Sequence, residues 1–128
     1  MNRLIGKAAI VTGANSGIGK RTAELFAEEG ADLVLVARRM DKLKEVEQYC
    51  RELGRNVLSI SADVSVQTDC EKVCKEAADT FGRIDVLVNN AGIADKHRPV
   101  TRCSADWWDH IVKVDQYSVF YMMQEALK

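Results

Sequence analysis

Four short apolar runs, over residues 8–12, 33–37, 57–60 and 84–88, alternate with amphipathic stretches whose apolar residues recur at helical spacing. A short run without polar alternation reads as a strand buried on both faces. Strands that each lead into a helix return to the same sheet by right-handed crossovers. The order therefore predicts an α/β fold, a doubly wound parallel sheet, ending after its fourth strand and the helix that follows. No linker, repeat or low-complexity tract interrupts the pattern, so residues 1–128 are expected to form one domain.

The amphipathic stretches carry their own start and stop signals. The first helix is expected from Gly17 to Glu29, with Ile18, Thr22, Leu25 and Phe26 on one face and Gly30 as its stop. Asp41 is expected to cap the second, whose stripe runs Leu43, Val46, Cys50, Leu53 before Gly54. Ser65 is expected to open the third, turning Val66, Cys70, Val73, Cys74, Ala77 and Phe81 inward. Ser104 is expected to cap a last helix that runs to the end of the chain, with Trp108, Ile111, Val112, Val119 and Met122 as its stripe.

Composition excludes several classes of function. With 47% hydrophobic and 29% charged residues the chain reads as soluble and globular. Eighteen basic residues against nineteen acidic ones leave no surplus for a nucleic-acid surface. No apolar run has the length to cross a bilayer, and the first seven residues hold no signal-peptide core, so the cytoplasm is the default location. Of the four cysteines, Cys50, Cys70 and Cys74 fall at apolar helix positions and Cys103 in a loop. Cys70 and Cys74 have the spacing of two ligands on one helix, yet no second pair or nearby histidine completes a tetrahedral set. Buried thiols, with no metal, are expected.

Between the first strand and the first helix stands Thr12-Gly13-Ala14-Asn15-Ser16-Gly17-Ile18-Gly19. Glycines here let the backbone turn tightly and approach a diphosphate, while the helix N-terminus offers unpaired N–H groups and a partial positive charge. A tight turn with no ligand is the plainer reading of glycines alone. The strand-turn-helix context favours a dinucleotide.

This spacing, TGxxxGxG, resembles the glycine motif of the short-chain dehydrogenase/reductase family, and two further elements of that family stand in order: Asp63-Val64 after strand three and Asn89-Asn90-Ala91-Gly92 after strand four. The resemblance covers essentially the whole chain and implies a Rossmann-type sheet. It implies that Gly13, Asn15, Ser16, Gly17, Ile18 and Gly19 line the diphosphate and ribose of a nicotinamide dinucleotide. It places Asp63 and Val64 at the adenine and Asn90, Ala91 and Gly92 at the nicotinamide-side ribose. Since the same tetrapeptide also braces the sheet in this family, Asn89 is taken as the brace and Asn90 as the ligand neighbour.

Cofactor choice is read at the end of strand two. NAD-binding chains commonly carry an acid there, for the ribose 2′-OH. This chain has Arg38-Arg39, so NADP is favoured over NAD, with Arg38 meeting the 2′-phosphate. A solvated basic turn before Asp41 is the plainer alternative. Asp115 lies on the apolar stripe of the last helix, four residues from Ile111 and Val119, where the family usually holds an asparagine that orders a proton-relay water. A relay role and a helix-kinking or interface-pairing acid are both open for Asp115. Tyr117 and Tyr121 read as packing residues.

The family's chemistry moves a hydride between nicotinamide and a carbonyl or alcohol carbon, using a serine, a tyrosine and a lysine four residues after the tyrosine. The fourth residues after Tyr49, Tyr117 and Tyr121 are Leu53, Tyr121 and Glu125. The resemblance therefore implies a cofactor-binding half, with the catalytic half beyond Lys128. An open strand-four edge and a last helix apolar around Trp107, Val114, Tyr117 and Tyr121 point the same way, and a homo-oligomer is expected of the full-length protein. The function expected is an NADP-dependent oxidoreductase acting on a small secondary alcohol or ketone, such as a 3-oxoacyl-thioester reductase or a hydroxysteroid-type dehydrogenase. The alternatives are a non-catalytic NADP-binding module working with a partner and a methyltransferase. The segment His97-Arg98-Pro99 reads either as a border of the substrate cleft or as a solvated connection.

Overall fold

In the computed structural model, which describes residues 2–92 and 100–128, four parallel strands form one sheet in the order β3-β2-β1-β4. The strands are β1 (Ala8–Thr12), β2 (Asp32–Ala37), β3 (Val57–Ser61) and β4 (Val86–Val88). Helices α1 (Gly17–Glu28), α2 (Met40–Glu52) and α3 (Gln67–Phe81) connect them, and α4 (Ala105–Val112), a π turn (Lys113–Tyr117) and α5 (Ser118–Ala126) follow. None of these helices is long and apolar enough to cross a membrane.

Strand geometry divides the core by parity, because successive side chains point to opposite faces. Ala9, Val11, Leu33 and Leu35 meet Ala23, Ala27, Leu43 and Val46 of α1 and α2 on one side. Ile10, Val34, Val36 and Ile60 meet Cys70, Val73 and Met122 of α3 and α5 on the other. Leu33 and Leu35 are fully enclosed, and truncating either to alanine costs about 2–5 kcal/mol. Cys50, Cys70 and Cys74 are buried, free thiols, as the helical spacing predicts, and Cys103 is half-buried. Burial pushes Cys50 and Cys74 up to about 11 and Cys70 up to about 12.

Several local expectations are corrected. Helix α1 buries Gly19, Ala23 and Ala27, whereas Ile18 is 79% exposed and Leu25 also faces solvent. The small residues let α1 lie close against the sheet, which bulkier side chains on that face would prevent. Leu53 and Val66, placed in apolar stripes by spacing, are exposed because they stand just outside α2 and α3. Asp41 does not cap α2, which begins at Met40. It sits in the first turn, 3.3 Å from Arg39, where its charge complements the helix dipole. Ser65 does not open α3 either. Its N–H and hydroxyl donate to Asp63 at 3.0 and 2.6 Å, making a local turn before the helix. Strand β4 is shorter than the apolar run of 84–88; just before it, the Asp85 N–H donates to the Ala8 carbonyl and the Asp85 carboxylate accepts the Ala8 N–H, each at 2.9 Å.

Ser104 caps α4 as expected, accepting the Trp107 N–H at 3.0 Å. The expected continuous helix beyond it is interrupted by the π turn, which inserts an extra residue and rotates the faces. The apolar stripe is broken as a result. Trp108 is 63% exposed while Met122 is enclosed, and Asp115, inside the π turn, is exposed and not on a buried face.

Candidate functional site

The carboxyl ends of the strands, with the helix residue Val114, surround a cleft of about 260 Å³. Gly13, Asn15 and Ser16 follow β1, Arg38 and Arg39 follow β2, Ala62, Asp63 and Val64 follow β3, and Ala91 and Gly92 follow β4. Crevices of doubly wound sheets form at this end because the helices begin there.

The glycine loop is shaped by two close approaches. Gly13 has φ +64°, and a Cβ there would come within 2.9 Å of the Asn90 amide nitrogen and 3.0 Å of Ala91 Cα. A Cβ on Gly19 would lie 2.1 Å from the Gly13 carbonyl oxygen. Only hydrogen fits at either place. Behind the loop, the Asn90 side-chain amide donates to the Gly13 carbonyl at 3.2 Å. The buried Thr12 hydroxyl accepts the Asn90 and Ala91 N–H groups, each at 3.0 Å, and donates to the Val88 carbonyl at 3.3 Å. Sequence reading assigned the brace to Asn89; the structure shows Asn90 bracing.

Charge around the cleft is asymmetric. Ser16 precedes α1 in an extended conformation without a side-chain cap, and no acid stands in the first turn. The positive end of α1 is therefore not neutralised by its own sequence. Arg39 pairs with Asp41, while among the described residues no carboxylate lies at ion-pair distance from Arg38. Partial burial pushes the Asp63 carboxyl up, but the Ser65 hydroxyl and N–H, with the charges of Arg38 and His110, together hold it below the ordinary carboxylate range. Its own N–H is taken by Asp69 at 2.8 Å. At the other end, a Cβ on Gly92 would meet an Asp115 carboxylate oxygen at 3.2 Å, so that acid stands beside the cleft without lining it.

Of the residues singled out from sequence, Gly13, Asn15, Ser16, Arg38, Arg39, Asp63, Val64, Ala91 and Gly92 line the cleft. Gly17, Ile18, Gly19 and Asn90 do not; Gly19 and Asn90 act from behind the loop. Sequence reading missed Val36, Ala37, Ala62 and Val114 as lining residues. The strand-end positions follow from register, whereas Val114 needs the placement of the last helix. His97, Arg98 and Pro99 lie outside the described residues. Among the described residues no three His, Cys, Asp or Glu side chains converge as a metal set.

A sequence profile of the short chain dehydrogenase family matches residues 7–128. The chain belongs to the short-chain dehydrogenase family. Members of this oxidoreductase family bind NAD or NADP. The chain is 50% identical, over 91 residues, to "11-beta-hydroxysteroid dehydrogenase-like 4A" of Arabidopsis thaliana, covering 70% of this chain and 30% of that one. Its structure superposes on a short chain dehydrogenase from Burkholderia cenocepacia J2315, solved in complex with NADP, with TM-score 0.94 and 32% identity, covering 98% of this chain and 51% of that one. It also matches NAD+-bound xylitol dehydrogenase with TM-score 0.92 and 29% identity, covering 97% and 48%. This short-chain dehydrogenase chain thus spans about half the length of those solved structures, and less of the Arabidopsis relative.

Proposed function

We propose that residues 1–128 form a dinucleotide-binding domain that prefers NADP over NAD and serves a hydride transfer between NADP(H) and a secondary alcohol or ketone, of hydroxysteroid type. The observation that carries this reading is the meeting of the uncapped α1 N-terminus and Arg38 at one cleft. The residues fit the group: a backbone-lined approach at Gly13 for a diphosphate, and a guanidinium for a phosphomonoester. The nicotinamide supplies the hydride chemistry when bound. Around it Gly13, Asn15 and Ser16 hold the diphosphate side, with Gly17, Ile18 and Gly19 shaping that turn. Arg38 and Arg39 take the 2′-phosphate, Asp63 and Val64 the adenine, and Ala91 and Gly92, backed by Asn90, the nicotinamide-side ribose. Asp115, beside Gly92, stands next to the nicotinamide end as a proton-relay or helix-bending acid. The substrate class rests on the hydroxysteroid dehydrogenase name of the Arabidopsis relative. The NADP-bound neighbour supports the cofactor choice, which the NAD+-bound one leaves to Arg38. Homo-oligomeric assembly belongs to the same reading, since Trp108, Tyr117 and Phe120 are exposed along the last helical segments.

The test is fluorescence titration of NADPH and NADH with the wild-type protein and Arg38→Asp. Replacing a charge-assisted contact by a like charge should lower the NADPH-to-NADH affinity ratio by about tenfold or more. An unchanged ratio overturns the NADP assignment, and saturable binding of neither dinucleotide overturns the whole reading.

A further inference from the structure

Three successive carbonyls at the end of β2 are tied down, each by a different element. Val36 accepts the Ala14 N–H of the glycine loop at 3.2 Å, Ala37 accepts the Ala62 N–H at 3.0 Å, and Arg38 accepts the Ser61 hydroxyl at 2.9 Å. The first two are backbone bonds, which nearly any residue type would supply. The third depends on a side chain. Ser61 is the last residue of β3 and stands in register with Ala37, the last residue of β2. Its hydroxyl reaches one residue further, to a carbonyl beyond the strand. Arg38 and Arg39 form the whole connection between β2 and α2. Arg39 pairs with Asp41 at 3.3 Å, and Arg38 lines the cleft.

We propose that Ser61 is a positioning residue for cofactor choice, holding the Arg38 carbonyl and so fixing the backbone from which the guanidinium reaches a phosphomonoester. The inference rests on the reading of the cleft as a nicotinamide dinucleotide site with Arg38 at the 2′-phosphate. An arginine anchored at its backbone has fewer conformations to lose when it engages the phosphate, so the contact forms at a smaller entropic cost. An unphosphorylated dinucleotide makes no such contact and gains nothing from the anchoring. Ser61, which does not itself line the cleft, therefore acts on discrimination through Arg38 and not on dinucleotide binding as a whole. Because Ser61 is exposed, water competes for the Arg38 carbonyl, and the effect stands at the lower end of what one hydrogen bond contributes.

The experiment is fluorescence titration of NADPH and NADH with wild type, Ser61→Ala, Ser61→Thr, Arg38→Ala and the double variant Ser61→Ala with Arg38→Ala. Ser61→Ala should lower NADPH affinity about two- to fivefold and leave NADH affinity unchanged. Ser61→Thr keeps the hydroxyl on a side chain suited to a strand, and should restore the wild-type ratio. In the Arg38→Ala background the Ser61→Ala change should have no further effect, because no guanidinium remains to be aimed. Equal losses for the two dinucleotides, an undiminished NADPH affinity in Ser61→Ala, or a threonine variant that behaves like the alanine one overturns the role of Ser61 alone. So does a loss that persists in full in the Arg38→Ala background, which would place Ser61 on the phosphate directly. An NADPH-to-NADH ratio untouched by Arg38→Ala, or no saturable NADPH binding by the wild type, overturns the proposal together with the cofactor reading.

Discussion

The side-chain amide of Asn90 donates to the carbonyl of Gly13 at 3.2 Å, tying the loop after β4 directly to the loop after β1. These loops are 77 residues apart in sequence and adjacent only because β4 pairs with β1. Gly19 packs against both partners of that bond. The cleft wall is therefore one unit made of two loops and the start of α1.

Gly19→Ala tests this unit. The added Cβ would stand 2.1 Å from the Gly13 oxygen and 2.4 Å from the Asn90 amide nitrogen, and neither the backbone nor a side chain held by its own hydrogen bond gives way cheaply. Overpacking of this kind costs about 1–3 kcal/mol. A thermal melt should show a lower midpoint, and NADPH titration should show affinity reduced by about tenfold or more, because the glycine loop must shift. A variant matching wild type in both would show that the loop relaxes freely.

Thr12→Val removes the hydroxyl that serves Asn90, Ala91 and Val88 while keeping the shape of a buried side chain. The Asn90 N–H keeps the Val88 carbonyl at 3.1 Å, so the variant leaves the part-buried Ala91 N–H without this acceptor, at a cost of about 1–3 kcal/mol. Urea denaturation should place the variant about 1–3 kcal/mol below wild type, with Thr12→Ser recovering most of the loss. Equal stability of the valine and serine variants would mean that the hydroxyl does not hold the loop.

A pH effect should arise at the start of the chain. Glu29 accepts the Arg3 guanidinium at 2.9 Å and the Arg3 N–H at 3.2 Å, contacts that hold its carboxyl down at about 2. An unfolded glutamate titrates near ~4.3. With the folded value below the unfolded one, the stabilisation is fully present above about pH 4.3 and disappears as pH falls through about 2. Thermal melts of Glu29→Gln should therefore show a smaller loss of stability between pH 5 and pH 2 than wild type. The pair is solvent-facing, so 1 M salt should shrink the difference. Identical slopes for the two proteins would rule the pair out as a source of acid sensitivity.

The alternation of apolar runs and helical stripes made the sheet legible, because a strand buried on both faces needs no polar alternation and a crossover helix needs an apolar side. Individual helix faces were less legible. In α1 the large residues Ile18 and Leu25 read as the inner face, yet Gly19, Ala23 and Ala27 are the ones enclosed. Hydrophobicity does not record how near a helix must come to its sheet. The cap positions of Asp41 and Ser65 failed for a related reason, since each carboxylate or hydroxyl found a nearer partner in Arg39 or Asp63.

Sequence alone determined the strand-helix order, the glycine loop, the acid-free turn at Arg38 and the loop after β4, since each depends on residue type and short spacing. Tertiary structure decided that Asn90 braces Gly13, that Val114 lines the cleft and that Asp115 stands beside Gly92. Those relationships join elements tens of residues apart. Their distances are set by how strands pair and how the π turn at Lys113–Tyr117 rotates the last helix, and no local pattern carries that information.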